Sequence, residues 1–401
     1  MSLKLIGGKI YNEGMFCENE ALFFGDTNED GRVVDCGSSI ILPALCDVHV
    51  HLREPGGSHK ETIKTGTMAA ARGGYTVLGA MPNLDPPPTD MASLQKQLDI
   101  IERDAAVKVI PYGAITSDQS GRGKLSDMEA MAPYVIAFTD DGLGVQAGDL
   151  MREAMERAKT LSKLIVAHCE DEELLAQGKV RESEWRQIER DVKLADEVGA
   201  GYHVCHISTK ESVEIIRDAK KSGVNVSCET APHYLLLDDR IVEREVNRYP
   251  EKGGRYKMNP PIKTPKDREA LVEGAVDGTI DMVATDHAPH SDEEKSRGFA
   301  KSLNGVTGLD CAMPVLYGGL VKSGDMTLER LVEMTAVAPR KRFGIAQGKD
   351  FIVFDPNVRY RIDSGTFLSM GKWTPFDGAE VFGRVKMTFM DGKLTFEDRE
   401  Q

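Results

Sequence analysis

Short apolar, β-rich runs alternate with longer stretches of helical periodicity through the middle of the chain. The runs are Cys46–Leu52, Thr76–Met81, Val107–Ile115, Val135–Phe138, Leu164–Ala167, Tyr202–Ile207, Val224–Cys228 and Asp281–Ala284. Buried strands separated by helices, eight times over about 240 residues, predict an α/β fold of the (β/α)8 TIM-barrel type. The spacers carry helix signals. Thr264 can cap a helix with Pro265 at its first position and Gly278 after its end. Asp149 is placed as the cap of a helix through Met151, Met155 and Ala158, and Gly73-Gly74 as the end of a helix from near Lys60. After Thr89, the residues Leu94, Leu98 and Ile101 share one helical face.

The flanks differ. Lys4–Ile10, Ala21–Phe24 and Arg32–Val34 predict short strands before the barrel. Phe351–Phe354, Arg359–Ile362, Arg384–Met390 and Lys393–Phe396 do so after it. The expected organisation is a barrel over residues 45–345, with residues 1–44 and 346–401 forming two parts of one small β-sandwich domain.

Composition narrows the partners. The 401 residues are 41% apolar, enough for a large core, and carry a net charge of −14. That charge argues against nucleic acid and anionic membrane, but a metal and one arginine can still reverse the field locally for an anionic small substrate. No apolar run approaches the roughly 18 residues needed to span a bilayer. The opening residues lack the apolar stretch of a signal peptide, so a cytoplasmic protein is expected. Seven scattered cysteines without CxxC spacing suit free thiols in a reducing compartment and rule out zinc fingers.

Most of the nine histidines lie at the ends of the apolar runs. His49 and His51, two apart on a strand, project to the same face and can share a divalent ion. The bland alternative is a polar pair on a half-exposed strand, but burying unpartnered imidazoles is costly. Further candidates end other strands: Asp140-Asp141, His168-Cys169-Glu170, His203 with His206, and Asp286-His287 through His290. Barrel enzymes place their chemistry at that end.

The runs H-V-H-L-R-E-P-G, K-E-T-I-K-T-G, A-A-A-R-G-G-Y-T, M-P-N, F-T-D-D-G, A-H-C-E, Y-H-V-C-H-I-S-T, K-M-N-P-P-I and A-T-D-H-A-P-H closely resemble the class I dihydroorotases of the amidohydrolase superfamily. T-P-F-D-G near the end also looks like that family's terminal β-domain. The resemblance implies one or two zinc ions. His49, His51 and Asp286 match the ligands of a first metal, His168 and His206 those of a second, and Asp141 the bridging carboxylate. Asp140 is the less suited neighbour, and His203, an odd number of residues from His206, is read as structural. Arg53, Asn83, Asn259 and His290 match substrate-holding residues, and Asn304 and Gly305 fall where family backbone groups touch the ring; by themselves the asparagines read as turn residues.

The implied reaction is reversible cyclisation of N-carbamoyl-L-aspartate to L-dihydroorotate, the third step of pyrimidine synthesis, with Asp286 moving the proton. The implied partners are this substrate, a second copy in a homodimer, and aspartate transcarbamoylase. Three features depart from wider patterns. Many amidohydrolases bridge their metals with a carbamylated lysine where this chain has Asp140-Asp141, as bacterial class I dihydroorotases do. The stretch from His168 to His206 is shorter than usual, although residues 171–200 suffice for the required helix. Cys46 stands where a small aliphatic residue is common, and no function attaches to it. The rival readings are an allantoinase or dihydropyrimidinase on the same fold, and an inactive barrel serving as a scaffold for aspartate transcarbamoylase.

Overall fold

The structure, a computed structural model, describes residues 3–12, 14–18, 22–24 and 32–399. The amino-terminal strands are β1 (Leu3–Ile6), β2 (Lys9–Asn12), β3 (Met15–Glu18), β4 (Leu22–Phe24), β5 (Arg32–Asp35) and β6 (Ile40–Pro43). The strand predicted over Lys4–Ile10 is therefore two strands. Gly7 and Gly8 both take positive φ, 69° and 77°, and break the run between them. A Cβ at Gly8 would meet Ser39 O at 2.7 Å, so the close turn requires glycine. The split sends β1 and β2 into different sheets. Ala21, the first residue of another predicted strand, lies outside the described residues.

The middle of the chain supplies parallel strands. These are β7 (Leu45–Val50), β8 (Tyr75–Ala80), β9 (Lys108–Pro111), β10 (Ile165–Ala167), β11 (Tyr202–Val204), β12 (Val226–Thr230) and β13 (Met282–Val283). They form two sheets, β7-β8-β9 and β10-β11-β12-β13. The run predicted over Val135–Phe138 makes no regular ladder. Phe138 instead bridges Gly113 on one side and Ile165 on the other, linking the two sheets by single residues. At the opposite ends, Val50 bridges His287, and the His51 N–H donates to His287 O at 2.8 Å. All described residues of β7 and β8 are buried, as strands covered on both faces must be.

Helices pack outside these strands, and their ends mostly follow local signals. The helix Ile63–Gly73 starts with a capping box between Thr62 and Thr65 and ends at Gly74, φ 93°. The helix Pro265–Asp277 is framed by Thr264 and Gly278 as its sequence predicts. Asp149 is not a cap. The helix Gly148–Thr160 begins one residue earlier, after Ala147, and Asp149 sits in its first turn, where a carboxylate favours the positive end of the helix dipole. The short stretch between His168 and His206 folds as Glu172–Ala176 and the long helix Val180–Val198.

The carboxy-terminal strands are β14 (Phe351–Arg361), β15 (Glu380–Met390) and β16 (Lys393–Glu397). Two predicted runs, Phe351–Phe354 and Arg359–Ile362, merge in β14, with a register shift between Asp355 and Arg359. The six-stranded sheet β16-β15-β14-β6-β2-β3 combines both ends of the chain, and β4-β1-β5 makes a second sheet. Leu5 and Val34 from the smaller sheet share one apolar cluster with Ile41, Phe351, Val353 and Phe389 from the larger. A second, much larger cluster joins Leu42, Ile352, Phe354 and Val385 to the interior around the parallel strands. Gly74 sits at that junction, where a Cβ would press on Ile352 and Val385 at 3.3 Å. Gly74→Ala is expected to cost about 1–2 kcal/mol of stability, from its left-handed φ and this contact, measured by urea unfolding.

Candidate active site

The ends of the parallel strands converge on one carboxylate. Asp141 lies 3.3 Å from His49 Nε2, 3.5 Å from His51 Nε2, 3.7 Å from His206 Nε2 and 3.9 Å from His168 Nδ1. All five side chains are at least nine-tenths buried. Asp140 points elsewhere. It accepts from the backbone N–H groups of Ile115, Thr116 and Gly121 and from the Thr116 hydroxyl, so it fixes the loop rather than facing the imidazoles. Asp286 closes the ring from beyond β13, its Oδ1 at 3.1 Å from His51 Nε2 and 3.5 Å from His49 Nε2.

Left-handed backbone recurs here. Among the described residues, Arg53 (φ 64°), His206 (φ 28°) and Asp286 (φ 47°) are non-glycine residues with positive φ. Such strain persists where surrounding structure imposes it, and it marks the points where strands turn abruptly to aim a side chain.

Three of the imidazoles have a partner behind them, and His206 meets His168, Nε2 to Nδ1, at 3.0 Å. Glu229 on β12 accepts from His49 Nδ1 at 2.6 Å. That bond leaves the His49 Nε2 lone pair directed at the carboxylates. Asn83 Oδ1 accepts from His51 Nδ1 at 2.7 Å, and Glu170 lies 3.5 Å from His168 Nε2. Such outer partners fix the tautomer of a metal-binding histidine. His203 is part of this support and faces away from the cleft, between Ser227 Oγ at 2.7 Å and Glu229 at 3.2 Å.

The electrostatics follow from burial opposed by charge. Burial disfavours ionised Asp141, but His49 and the contacts to His206 outweigh it and hold Asp141 well below the usual carboxylate range. Burial likewise opposes ionisation of Glu229, yet His49 and His203 bring it down to about 2. Burial dominates at His51 and lowers it.

The residues fit a divalent cation. His49 Nε2 and Asp141 Oδ1 are buried, have no hydrogen-bond partner and face each other. Two such lone pairs repel unless a proton or a metal cation lies between them, and against burial the Asp141 carboxylate holds His49 well above its ordinary value. The groups His49–His51–Asp286 and His49–Asp141–His206 each bring their ligand atoms within 4.8 Å of one another. Imidazole and carboxylate donors of this kind suit zinc and similar ions.

Beside this cluster, Arg53, Asn83, Asn259, His290, Asn304 and Gly305 line one cleft, together with Asp141 and Asp286. The Arg53 Nε donates to Pro289 O at 3.1 Å, and burial brings its guanidinium down to about 10, still charged at neutral pH. His290 Nε2 donates to Asn304 O at 2.7 Å. Burial, then the Arg53 charge, push His290 to about 3, so it is neutral. Asn259 donates to both oxygens of Glu170, at 3.1 and 3.2 Å. Asn83 and Asn259 thus touch the cleft on one side and the partners of the imidazoles on the other.

The arrangement has counterparts. A family profile described as "Dihydro-orotase-like" matches residues 38–212. The dihydroorotase of Bacillus licheniformis is 45% identical over 389 residues, spanning 91% of this chain and 89% of its own. That of Staphylococcus epidermidis is 42% identical and spans 99% of this chain and 100% of its own. The chain belongs to the dihydroorotase family. Similar solved structures include an L-hydantoinase (dihydropyrimidinase) from Arthrobacter aurescens, TM-score 0.86 at 23% identity, covering 99% of this chain and 96% of that one. A D-hydantoinase from Thermus sp. gives a TM-score of 0.82 at 25% identity, with 99% and 95% covered. The dihydroorotases are thus the nearer in sequence, while the hydantoinases share the fold.

Sequence reasoning passed over Glu229, since its predicted strand was ended at Cys228. The available signal was an acidic residue continuing an apolar run, the same anomaly that singled out His49. Glu61 was also missed. Buried, it accepts from the Ser369 hydroxyl and the Met370 N–H, and lies 3.4 Å from His287 Nε2. Glu229→Gln is expected to keep the fold while weakening divalent-metal affinity about 10–100-fold, measured by competition with a chromogenic chelator.

Proposed function

We propose that this chain is a zinc-dependent dihydroorotase, interconverting N-carbamoyl-L-aspartate and L-dihydroorotate. The single observation that carries the reading is the union, in one cleft, of the Asp141-centred imidazole cluster with the cation Arg53. Family membership supplies the reaction; the cleft supplies groups suited to each part of a cyclic amide that bears a carboxylate.

His49, His51 and Asp286 would hold one ion and His168 and His206 a second, with Asp141 shared between them. When bound, such an ion makes water nucleophilic at neutral pH and polarises the amide carbonyl. The chain's own groups do the rest. Arg53 grips the substrate carboxylate with its planar fork, aided by Asn83 and His290, with Asn259 as a further substrate contact. Neutral His290 adds a hydrogen bond without competing for the negative charge. Asn304 and Gly305 offer backbone groups to the ring. Because Asp286 Oδ1 faces the imidazoles, Oδ2 takes the proton from water and returns it to the leaving ring nitrogen. Fixed orientation of carboxylate and carbonyl supplies a further share of the rate.

The wider architecture belongs to the same proposal. We read the two parallel sheets as one (β/α)8 barrel over residues 45–345, closed through Phe138 and the Val50–His287 bridge. The two terminal sheets form a β-sandwich from residues 1–44 and 346–401, supported by their shared apolar cluster. Among the described residues, no helix is long and apolar enough to cross a membrane. A cytoplasmic homodimer able to associate with aspartate transcarbamoylase completes the proposal on resemblance alone, to be checked by sedimentation.

The deciding assay is hydrolysis of dihydroorotate beside dihydrouracil and allantoin, with and without chelator. Turnover confined to dihydroorotate and lost on chelation is expected; full activity in metal-free protein sinks the reading. Asp286→Asn should remain folded by circular dichroism and lose turnover by at least about a hundredfold. Arg53→Met should raise KM more than it lowers kcat. Ring closure converts a dianion to a monoanion and consumes one proton, so the equilibrium ratio of ring to open acid should fall about tenfold per pH unit rise, read by chromatography.

A further inference from the structure

Lys295 is fully buried, a costly place for an ammonium group. Its Nζ donates to three backbone carbonyls: Lys257 O at 3.0 Å, Leu303 O at 2.8 Å and Gly305 O at 2.6 Å. Three donors meet three acceptors, the full capacity of a lysine. The acceptors belong to two segments far apart in sequence. One leads into Asn259, and the other carries Asn304 and Gly305, all lining the cleft.

Other bonds tighten the same knot. The Gly305 N–H donates to Lys257 O at 3.0 Å, and the Ser302 hydroxyl donates to Lys295 O at 2.7 Å. Gly305 takes φ 133°, and a Cβ there would meet Ala288 O at 2.5 Å and His290 Nε2 at 3.0 Å. The loop therefore lies hard against the residue that reads the substrate, with little room to shift. Lys295 itself ends the short helix Asp292–Lys295, begun by a capping box of Ser291 and Glu294 directly after His290.

We infer that Lys295 is a positioning residue for substrate: its ammonium fixes the Asn259 and Asn304–Gly305 segments at the spacing that the substrate ring requires. The inference rests on the dihydroorotase reading above. An apolar side chain of the same length would fill the space and leave the Leu303 and Gly305 carbonyls unpaired, with Lys257 O held by the Gly305 N–H alone, so the loops would relax outward. Burial, with Lys257 and Arg53 as further cations nearby and Glu294 opposing them, brings the Lys295 ammonium down to about 7.

Steady-state hydrolysis of dihydroorotate by Lys295→Gln and Lys295→Arg chains, beside the unaltered chain, tests this. For Lys295→Gln, KM is expected to rise about tenfold with kcat within about threefold. Metal content and circular dichroism should match the parent. Lys295→Arg keeps the charge but carries its donors further out, so its KM should rise less. If the glutamine variant does not fold, the arginine variant gives the same reading. A parental KM in a folded variant, or a loss of kcat without a rise in KM, overturns the inference. Turnover by the unaltered chain separates the two claims: with it, only Lys295 is at stake; its absence overturns both.

Discussion

A carboxylate surrounded by four imidazoles in a dry interior is an unstable arrangement unless something positive lies among them. Asp141 is in that position, and the rest of the site can be understood as what it takes to keep it there. His168 Nδ1 and His206 Nε2 lie 3.0 Å apart, so one proton can join those two rings. His49, His51 and His168 are also held from behind, by Glu229, Asn83 and Glu170. Those partners come from different strand ends. The parallel sheets must therefore be complete before the cluster exists, and its geometry is a property of the whole interior.

The cleft beside this cluster lies on a fold that two groups of proteins share with this chain. The hydantoinases share the backbone plan over nearly the whole chain at 21–25% identity, whereas dihydroorotases reach 42–45%. The imidazole cluster sits on strand ends, which a fold fixes rigidly. Arg53, His290 and the Asn304–Gly305 loop line the cleft from segments beyond those ends, where sequence can change with less disturbance to the core.

What was legible in the sequence divides along the same line. His49 and His51 could be paired because a strand repeats every two residues, and Asp141 could be preferred to Asp140 only by resemblance. The structure supplies the physical reason: three backbone N–H groups occupy Asp140. The helix ends at Gly74 and Gly278 were readable from local chemistry. The break at Gly7-Gly8 was not, because a pair of glycines can flex within a strand or end it, and the choice depends on Ser39, distant in sequence. The fourth run lacked a ladder because Phe138 bridges single residues on either side, a pattern its four apolar residues could not announce. Nothing in the sequence sets Lys295 apart from the acidic residues Glu293 and Glu294 before it. Only folding reveals that three carbonyls surround it.

Pairing of β6 with β14 joins Ile40–Pro43 to Phe351–Phe354. During synthesis, β6 leaves the ribosome roughly 300 residues before its partner, a wait of about 15–60 s at ordinary elongation rates. Through that interval β6 can pair with β2 but presents its other edge, and an apolar face, to the cell. Folding of the middle of the chain can begin early, but its seam with the terminal sheet can be closed only near the last codons. The terminal sheet is thus the last part of this chain to be completed, although none of its described strands lines the cleft.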